Sequence, residues 1–125
     1  MDRPALRLTG IVLDAPDAQE LARFYVRLLG WSTHRDEPGW VMLTAPGLGA
    51  GLSFQTDEHY VPPVWPAGPG DPPMMLHLDI QVDDLARASA YAEAAGATLA
   101  TFQPQEGVRV YLDPAGHPFC LYVEE

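Results

Sequence analysis

Cysteines, basic residues and long apolar runs are all scarce in this sequence. Cys120 is the only cysteine among 125 residues, which excludes an intrachain disulfide and makes a reducing cytoplasm the expected location. None of the apolar runs approaches the roughly 20 residues that a membrane helix needs. The N-terminal stretch MDRPALRLTG also lacks the apolar segment of a signal peptide.

The charge of the chain is strongly one-sided. Seven Lys and Arg stand against 17 Asp and Glu, and the formal net charge is −10. Nucleic acids and anionic membranes are therefore not expected partners, because phosphate binding requires a basic patch. The acidic excess is compatible with a cationic ligand, and it also simply keeps a protein soluble. The hydrophobic fraction of 47% is typical of a globular protein, and the length predicts a single domain over residues 1–125.

One pattern occurs twice along the chain. The segment GIVLDAPDAQELARFYVRLLG (10–30) aligns with HLDIQVDDLARASAYAEAAG (77–96), and each reads as an alternating strand followed by an amphipathic helix. Asp17 and Asp84 stand where helix N-caps are expected, so the pattern predicts helices near 17–29 and 84–95. The apolar stripe of the second helix is predicted to consist of Leu85, Ala88, Tyr91 and Ala95.

Strand patterns follow each predicted helix. Residues near 31–35 and 97–103 are predicted strands, and GWVMLTAPG (39–47) aligns with GVRVYLDPA (107–115). A further strand is predicted in each copy, at 50–55 and 118–123. The chain is therefore predicted to be α+β, with one strand–helix–strand–strand–strand (βαβββ) module at 5–56 and a second at 74–124.

A proline-rich linker, residues 57–73, joins the two modules. It contains six prolines, which exclude a helix or a central strand. A solvated linker has no need of the large apolar side chain of Trp65. Two interpretations of Trp65 remain open at this stage: it covers the edge of the core, or it covers a pocket.

Three motifs carry a resemblance to a known family. They are DAQELARFYVRLLGW, HLDIQVDDL and DPAGHPFCLYV, in this order and within a duplicated module. Together they resemble the vicinal oxygen chelate superfamily, which includes glyoxalase I, bleomycin-resistance proteins and extradiol dioxygenases. The sequence is most similar to the glyoxalase-like, bleomycin-resistance-like branch common in actinomycetes. The resemblance implies that the two modules form a curved mixed sheet around a pocket.

The resemblance also implies four positions at which the metal-dependent members of the family bind their ion. Here these positions hold Gly10, Ser53 (with Gln55 next on that face), His77 and Cys120, so three of the four usual ligands are replaced. No cofactor is therefore expected. The less favoured alternative is a divalent metal on His77 and Cys120, joined by Asp79 from the same strand, since imidazole, thiolate and carboxylate all bind zinc.

Strand alternation within that fold predicts the lining of the pocket. The predicted ligand-binding residues are Ser53, Gln55, His77, Asp79, Gln81, Cys120 and Tyr122, with Trp40 and Trp65 at the rim. Three of these residues are also candidates for catalysis. His77 and Asp79 have the side chains of an acid–base pair, and His77 with Cys120 has those of a nucleophilic pair.

Two functions of different class follow. The favoured one is a small-molecule-binding protein without a metal, which sequesters or carries an organic ligand of aromatic or cationic character. The alternative is a lyase-like or dioxygenase-like enzyme with a degenerate metal site or with acid–base chemistry at His77 and Asp79. Whether the chain is an enzyme is left open by the sequence. A homodimer is expected in either case, as in many relatives.

Overall fold

The computed structural model describes residues 2–47 and 49–124 of the chain. The chain divides into two compact units, Met1–Glu58 and His59–Glu125, which are called the N-terminal and the C-terminal unit below. The helices of the described part are too short or too polar to cross a membrane. That residues 1–125 act as a single domain stays a prediction.

The N-terminal unit packs one helix on a four-stranded mixed sheet. Its elements are β1 (Gly10–Ala15), α1 (Ala18–Leu29), β2 (Ser32–Glu37), β3 (Trp40–Thr44) and β4 (Gly51–Thr56), and the strand order is β1-β4-β3-β2. Strand β1 is parallel to β4, and the other pairs are antiparallel. The core lies between helix and sheet, where the fully buried ring of Tyr25 stacks on Phe54 with centroids 5.5 Å apart.

Both ends of α1 are fixed by residues that the sequence marks. The Asp17 carboxylate accepts hydrogen bonds from the backbone N–H groups of Gln19 and Glu20, which would otherwise have no partner in the first turn. Gly30 ends the helix in the left-handed conformation, with φ of 71°, which a residue without Cβ adopts at no steric cost. In the C-terminal unit, Asp84 accepts a hydrogen bond from Arg87 N–H at the start of the corresponding helix.

The C-terminal unit repeats this architecture. Its elements are β5 (Leu78–Gln81), α2 (Leu85–Ala95), β6 (Thr98–Leu99), β7 (Val108–Leu112) and β8 (Pro118–Tyr122), in the order β5-β8-β7-β6. Strand β5 is parallel to β8, and the other pairs are antiparallel. The buried side chains of Tyr111, Phe119 and Leu121 form the core, and the hydroxyl of Tyr111 donates a hydrogen bond to Glu93 of α2.

The predicted α+β fold with two βαβββ modules is confirmed, and both helices begin within one residue of their predicted starts. Two local predictions are wrong. The strand after α2 is only two residues long, because the side chain of Gln103 takes over its hydrogen bonds: it donates to the carbonyls of Ala100 and Val110 and accepts from Val110 N–H. Tyr91 is 57% exposed, because α2 contacts the sheet through Ala92 and Ala95 instead.

Candidate functional site

The floor of the candidate site is one face of two neighbouring parallel strands. Asp79 of β5 lies directly opposite Cys120 of β8 in the ladder. Because side chains alternate along a strand, Phe119 and Leu121 point into the core while Cys120 and Tyr122 point to the other face. His77, two residues before Asp79, falls on that same face.

Three side chains of this face come together. His77 Nε2 lies 3.1 Å from Asp79 Oδ1, which is hydrogen-bonding distance when Nε2 carries the proton. The ligand atoms of His77, Asp79 and Cys120 all lie within 4.8 Å of one another. Their exposure increases in steps, from the buried thiol to side chains that are 31% exposed for His77 and 62% for Asp79. The group therefore opens toward solvent on the carboxylate side.

Trp65 covers the imidazole from the proline-rich segment. Its ring stacks on the ring of His77 with centroids 5.0 Å apart and an interplanar angle of 22°. Phe102 contacts the same indole edge-on, at 5.2 Å and 66°. The segment folds back beside Trp65, where Val64 N–H donates a hydrogen bond to the carbonyl of Pro72. Trp65 therefore contacts a predicted site residue, and its role as the cover of a pocket stays a prediction.

A cavity of about 700 Å³ lies over this face. Its volume falls in the range of about 300–1,000 Å³ that is usual for small-molecule sites. The lining combines one aromatic wall, the polar group described above and a loop before β7. The lining residues are Trp65, His77, Asp79, Cys120, Tyr122 and Val123, together with the loop Pro104, Gln105, Glu106, Gly107 and Val108.

The chemistry of Cys120 argues against a nucleophilic pair. Burial raises the pKa of the Cys120 thiol, and the negative charge of Asp79 raises that pKa further. A thiol whose pKa is raised stays protonated at neutral pH, whereas attack on a substrate requires the thiolate. The predicted pairing of His77 with Cys120 as base and nucleophile is therefore not supported by the surroundings of the thiol.

Five of the nine predicted ligand-binding residues line this one cavity: Trp65, His77, Asp79, Cys120 and Tyr122. Gln81 lies outside it, and its side-chain amide donates a hydrogen bond to Glu124. The other three belong to the N-terminal unit. There Trp40 lies opposite Gln55 in the sheet, the Gln55 amide donates to Asp14, and Ser53 is buried. Their membership of a site stays a prediction.

Sequence reasoning missed the loop side of the cavity. Phe102 and the stretch from Pro104 to Gly107 lie between β6 and β7. The sequence assigns Phe102 to the strand predicted near 97–103, and the stretch after it reads only as a connection. The available signal was an aromatic residue directly before a Pro- and Gly-containing loop, the same combination that drew attention to Trp65. The contact of the two aromatic rings depends on residues far apart in the chain, and periodicity carries no information on it.

The side chains at the four metal positions that the resemblance implies, here called the donor set, do not form the oxygen-rich site of the family's enzymes. Among the four positions that the resemblance implies, Gly10 has no side chain, Ser53 offers a neutral hydroxyl and Cys120 offers sulfur. Hard divalent ions prefer carboxylate, carbonyl and water oxygens, whereas thiolate selects softer ions. Among the described residues, His77, Asp79 and Cys120 remain as a group of three potential metal ligands, and all three lie in the C-terminal unit.

Comparison with known proteins gives one family and one fold. The model of the glyoxalase-like domain matches residues 10–122. No curated protein matches the sequence. A glyoxalase/bleomycin resistance protein/dioxygenase family enzyme from Burkholderia phytofirmans PsJN has a similar structure, with a TM-score of 0.72 at 18% identity over 94% of this chain and 98% of that one.

Two further solved structures share the fold. A glyoxalase-related enzyme from Fulvimarina pelagi has a TM-score of 0.68 at 19% identity, covering 96% of this chain and 89% of that one. TnmS3, an antibiotic binding protein from Streptomyces sp. CB03234, has a TM-score of 0.62 at 20% identity, covering 99% and 100%. With the family match over residues 10–122, they agree with the predicted resemblance: the chain belongs to the glyoxalase-like domain family of the vicinal oxygen chelate superfamily.

Proposed function

We propose that the cavity of the C-terminal unit binds a flat organic molecule that carries a positive charge, and that it binds this molecule without a metal ion. The observation that carries the proposal is the indole of Trp65, stacked on His77 at the wall of a cavity whose opening also presents the Asp79 carboxylate. An aromatic wall beside a few converging polar groups is the usual composition of a small-molecule site.

The charge of the lining favours a cationic ligand. Asp79 and Glu106 are the charged side chains among the cavity residues given above, and no Lys or Arg is among them. The negative charge of the whole chain acts in the same direction, since it draws cations toward the protein. A planar cation can stack on Trp65 and place its charge near Asp79, which combines cation–π attraction with a charge-assisted hydrogen bond.

The donor set supports the metal-free part of the proposal, and a relative supports the ligand-binding part. The residues at the family's metal positions do not form an oxygen-rich site, as described above. TnmS3, which shares the fold, is an antibiotic binding protein, so this architecture serves ligand binding in at least one relative. Sequestration or transport of such a molecule in the cytoplasm is the role that we propose.

A calorimetric titration tests the proposal. The probe is proflavine, a planar aromatic cation, and the comparison ligand is anilinonaphthalene sulfonate, an aromatic anion. We expect proflavine to bind about tenfold more tightly or better, a difference of about 1.4 kcal/mol, because only the cation gains from Asp79. Adding EDTA is expected to change neither this affinity nor the melting temperature of the protein as isolated. A loss of proflavine binding with EDTA, or equal affinity for the anion, would contradict the proposal.

One observation favours an enzyme as the second candidate. The contact of 3.1 Å between His77 Nε2 and Asp79 Oδ1 is the arrangement in which a carboxylate orients an imidazole for proton transfer. In this alternative His77 is the general base or acid and Asp79 the positioning residue. The His77 variant described in the Discussion separates this alternative from simple binding.

We also propose that the protein is a homodimer. Each four-stranded sheet ends in two edge strands, β1 and β2 in one unit and β5 and β6 in the other. Edge strands offer unpaired backbone groups, and association of two copies is a common way to cover them. Light scattering at high micromolar concentration is expected to give the mass of two chains, and the mass of one chain would contradict the proposal.

A further inference from the structure

We propose that His77, Asp79 and Cys120 also form a binding site for a soft divalent cation, Zn²⁺ or Cd²⁺, with an open coordination position toward the cavity. The inference goes beyond the proposed function, because the organic ligand binds without the ion. Two of its donors, His77 and Cys120, stand at positions that the resemblance implies for the family's ion. The site differs from the oxygen-rich site of the family because Asp79 is the third donor, one donor is sulfur, and all three lie in one unit.

The positions of the three donors follow from the strand pairing. Asp79 and Cys120 are opposite each other in the parallel ladder of β5 and β8. His77 precedes Asp79 by two residues, which is the period of side-chain alternation along a strand. Their ligand atoms lie within 4.8 Å of one another, and the imidazole nitrogen and carboxylate oxygen are 3.1 Å apart. Tetrahedral zinc separates its N, O and S ligands by roughly 3.3–3.6 Å. The Asp79 side chain is 62% exposed and can rotate toward this geometry, while Trp65 holds the imidazole of His77 in place.

The chemistry of the donors selects the ion. Imidazole, thiolate and carboxylate are the ligands of zinc sites in proteins, and thiolate disfavours Mg²⁺ and Ca²⁺. Three protein donors with one open position are typical of zinc sites that exchange their fourth ligand. Here the open position faces the cavity of about 700 Å³, which leaves room for water or for another molecule.

The surroundings of His77 support a ligating role. The stacked indole of Trp65 restricts rotation of the imidazole at a centroid distance of 5.0 Å. A ligand held in one orientation loses less conformational freedom on metal binding than a free side chain. The exposed position of Asp79 gives the ion a path from solvent. A site with three donors and this exposure is expected to release its ion on dialysis.

Cobalt absorption tests the inference with no organic ligand present. Co²⁺ replaces Zn²⁺ in tetrahedral sites, and a cobalt–thiolate bond gives a charge-transfer band in the near ultraviolet. Because Cys120 is the only cysteine, such a band identifies its ligand. We expect the band to saturate at one Co²⁺ per chain and to disappear when Zn²⁺ is added. No band, or saturation at several ions per chain, would overturn the inference.

Variants of each donor complete the test. Cys120→Ser is expected to abolish the band, and His77→Gln and Asp79→Asn are each expected to weaken Co²⁺ binding about tenfold or more. The matched control is His34→Gln, which changes an exposed histidine on β2 of the other unit. Because Cys120 is buried, the Cys120→Ser variant can lose stability. His77→Gln and Asp79→Asn change side chains that are not buried, so they keep the test independent of folding. Parent-like Co²⁺ affinity in both of those variants would overturn the inference.

The proposed site also predicts competition in the same cavity. The ion uses Asp79, near which the proposed cationic ligand places its charge, and His77, which holds the Trp65 ring in position. Zn²⁺ at saturation is therefore expected to lower the apparent affinity for proflavine. If proflavine fails to bind at all while the cobalt band appears, the proposed function fails and the metal site stands, so the two proposals are tested separately.

Discussion

Replacing Trp65 with alanine is expected to weaken proflavine binding by roughly 30- to 150-fold, or about 2–3 kcal/mol. The indole provides the aromatic wall of the cavity, and the variant removes both its apolar area and its stacking with a planar cation. Calorimetric titration of the variant and the parent measures the loss. Trp31→Ala is the matched control, because Trp31 is also partly buried but lies between α1 and β2 of the other unit.

The melting temperature separates lost binding from lost folding. Trp65 lies in the proline-rich segment and outside the buried cores of both sheets, so its replacement is expected to leave the unfolding transition nearly unchanged. A Trp65→Ala variant that binds proflavine as tightly as the parent would show that the indole is not part of the site. A strongly lowered melting temperature would instead support the interpretation that Trp65 covers the edge of a core.

Replacing His77 with alanine is expected to weaken proflavine binding by about 1–3 kcal/mol, roughly 5- to 150-fold. The change removes the imidazole that lies between the Trp65 ring and the Asp79 carboxylate. Both neighbours lose their fixed position, so the cavity must be organised by the ligand instead. Because Trp65 and His77 are in direct contact, the double variant is expected to lose less affinity than the sum of the two single losses.

The same variant distinguishes three roles of His77. In a binding site, affinity falls and the melting temperature is kept. In an enzyme that uses His77 for proton transfer, turnover of its substrate is abolished while binding of that substrate is nearly kept. In a purely structural role, stability falls and binding is unchanged. Calorimetry together with melting curves assigns the residue to one of these roles, and full stability with parent-like affinity would remove it from the site.

The repeated module could be predicted from sequence because its signals are local. Asp17 and Asp84 have side chains that satisfy the first N–H groups of a helix, and Gly30 adopts a conformation that other residues avoid. Alternation along β5 and β8 likewise placed His77 and Cys120 on one face. Each of these inferences needs only neighbouring residues and the fixed periods of helix and strand.

The remaining features depend on contacts between distant residues. The stacking of Trp65 on His77 joins a proline-rich segment to the start of a strand, and no period relates the two positions. The shortened β6 results from one side chain, Gln103, that imitates the backbone partner of Val110. Tyr91 is exposed because small alanine side chains set the contact of α2 with its sheet. Sequence patterns report which residues are apolar, and packing decides which of them are buried.

Mapping the bound probe by amide proton–nitrogen correlation spectra tests the central proposal most directly. On addition of proflavine in the presence of EDTA, we predict the largest shifts at the indole N–H of Trp65 and at the amides of His77, Asp79 and Gly107, which line the proposed cavity. A second cavity of this unit lies beside the start of α2, where Asp83, Arg87 and Tyr91 contribute to its lining. Shifts concentrated there, or in the N-terminal unit, with unchanged Trp65 and His77 signals, would contradict the proposal.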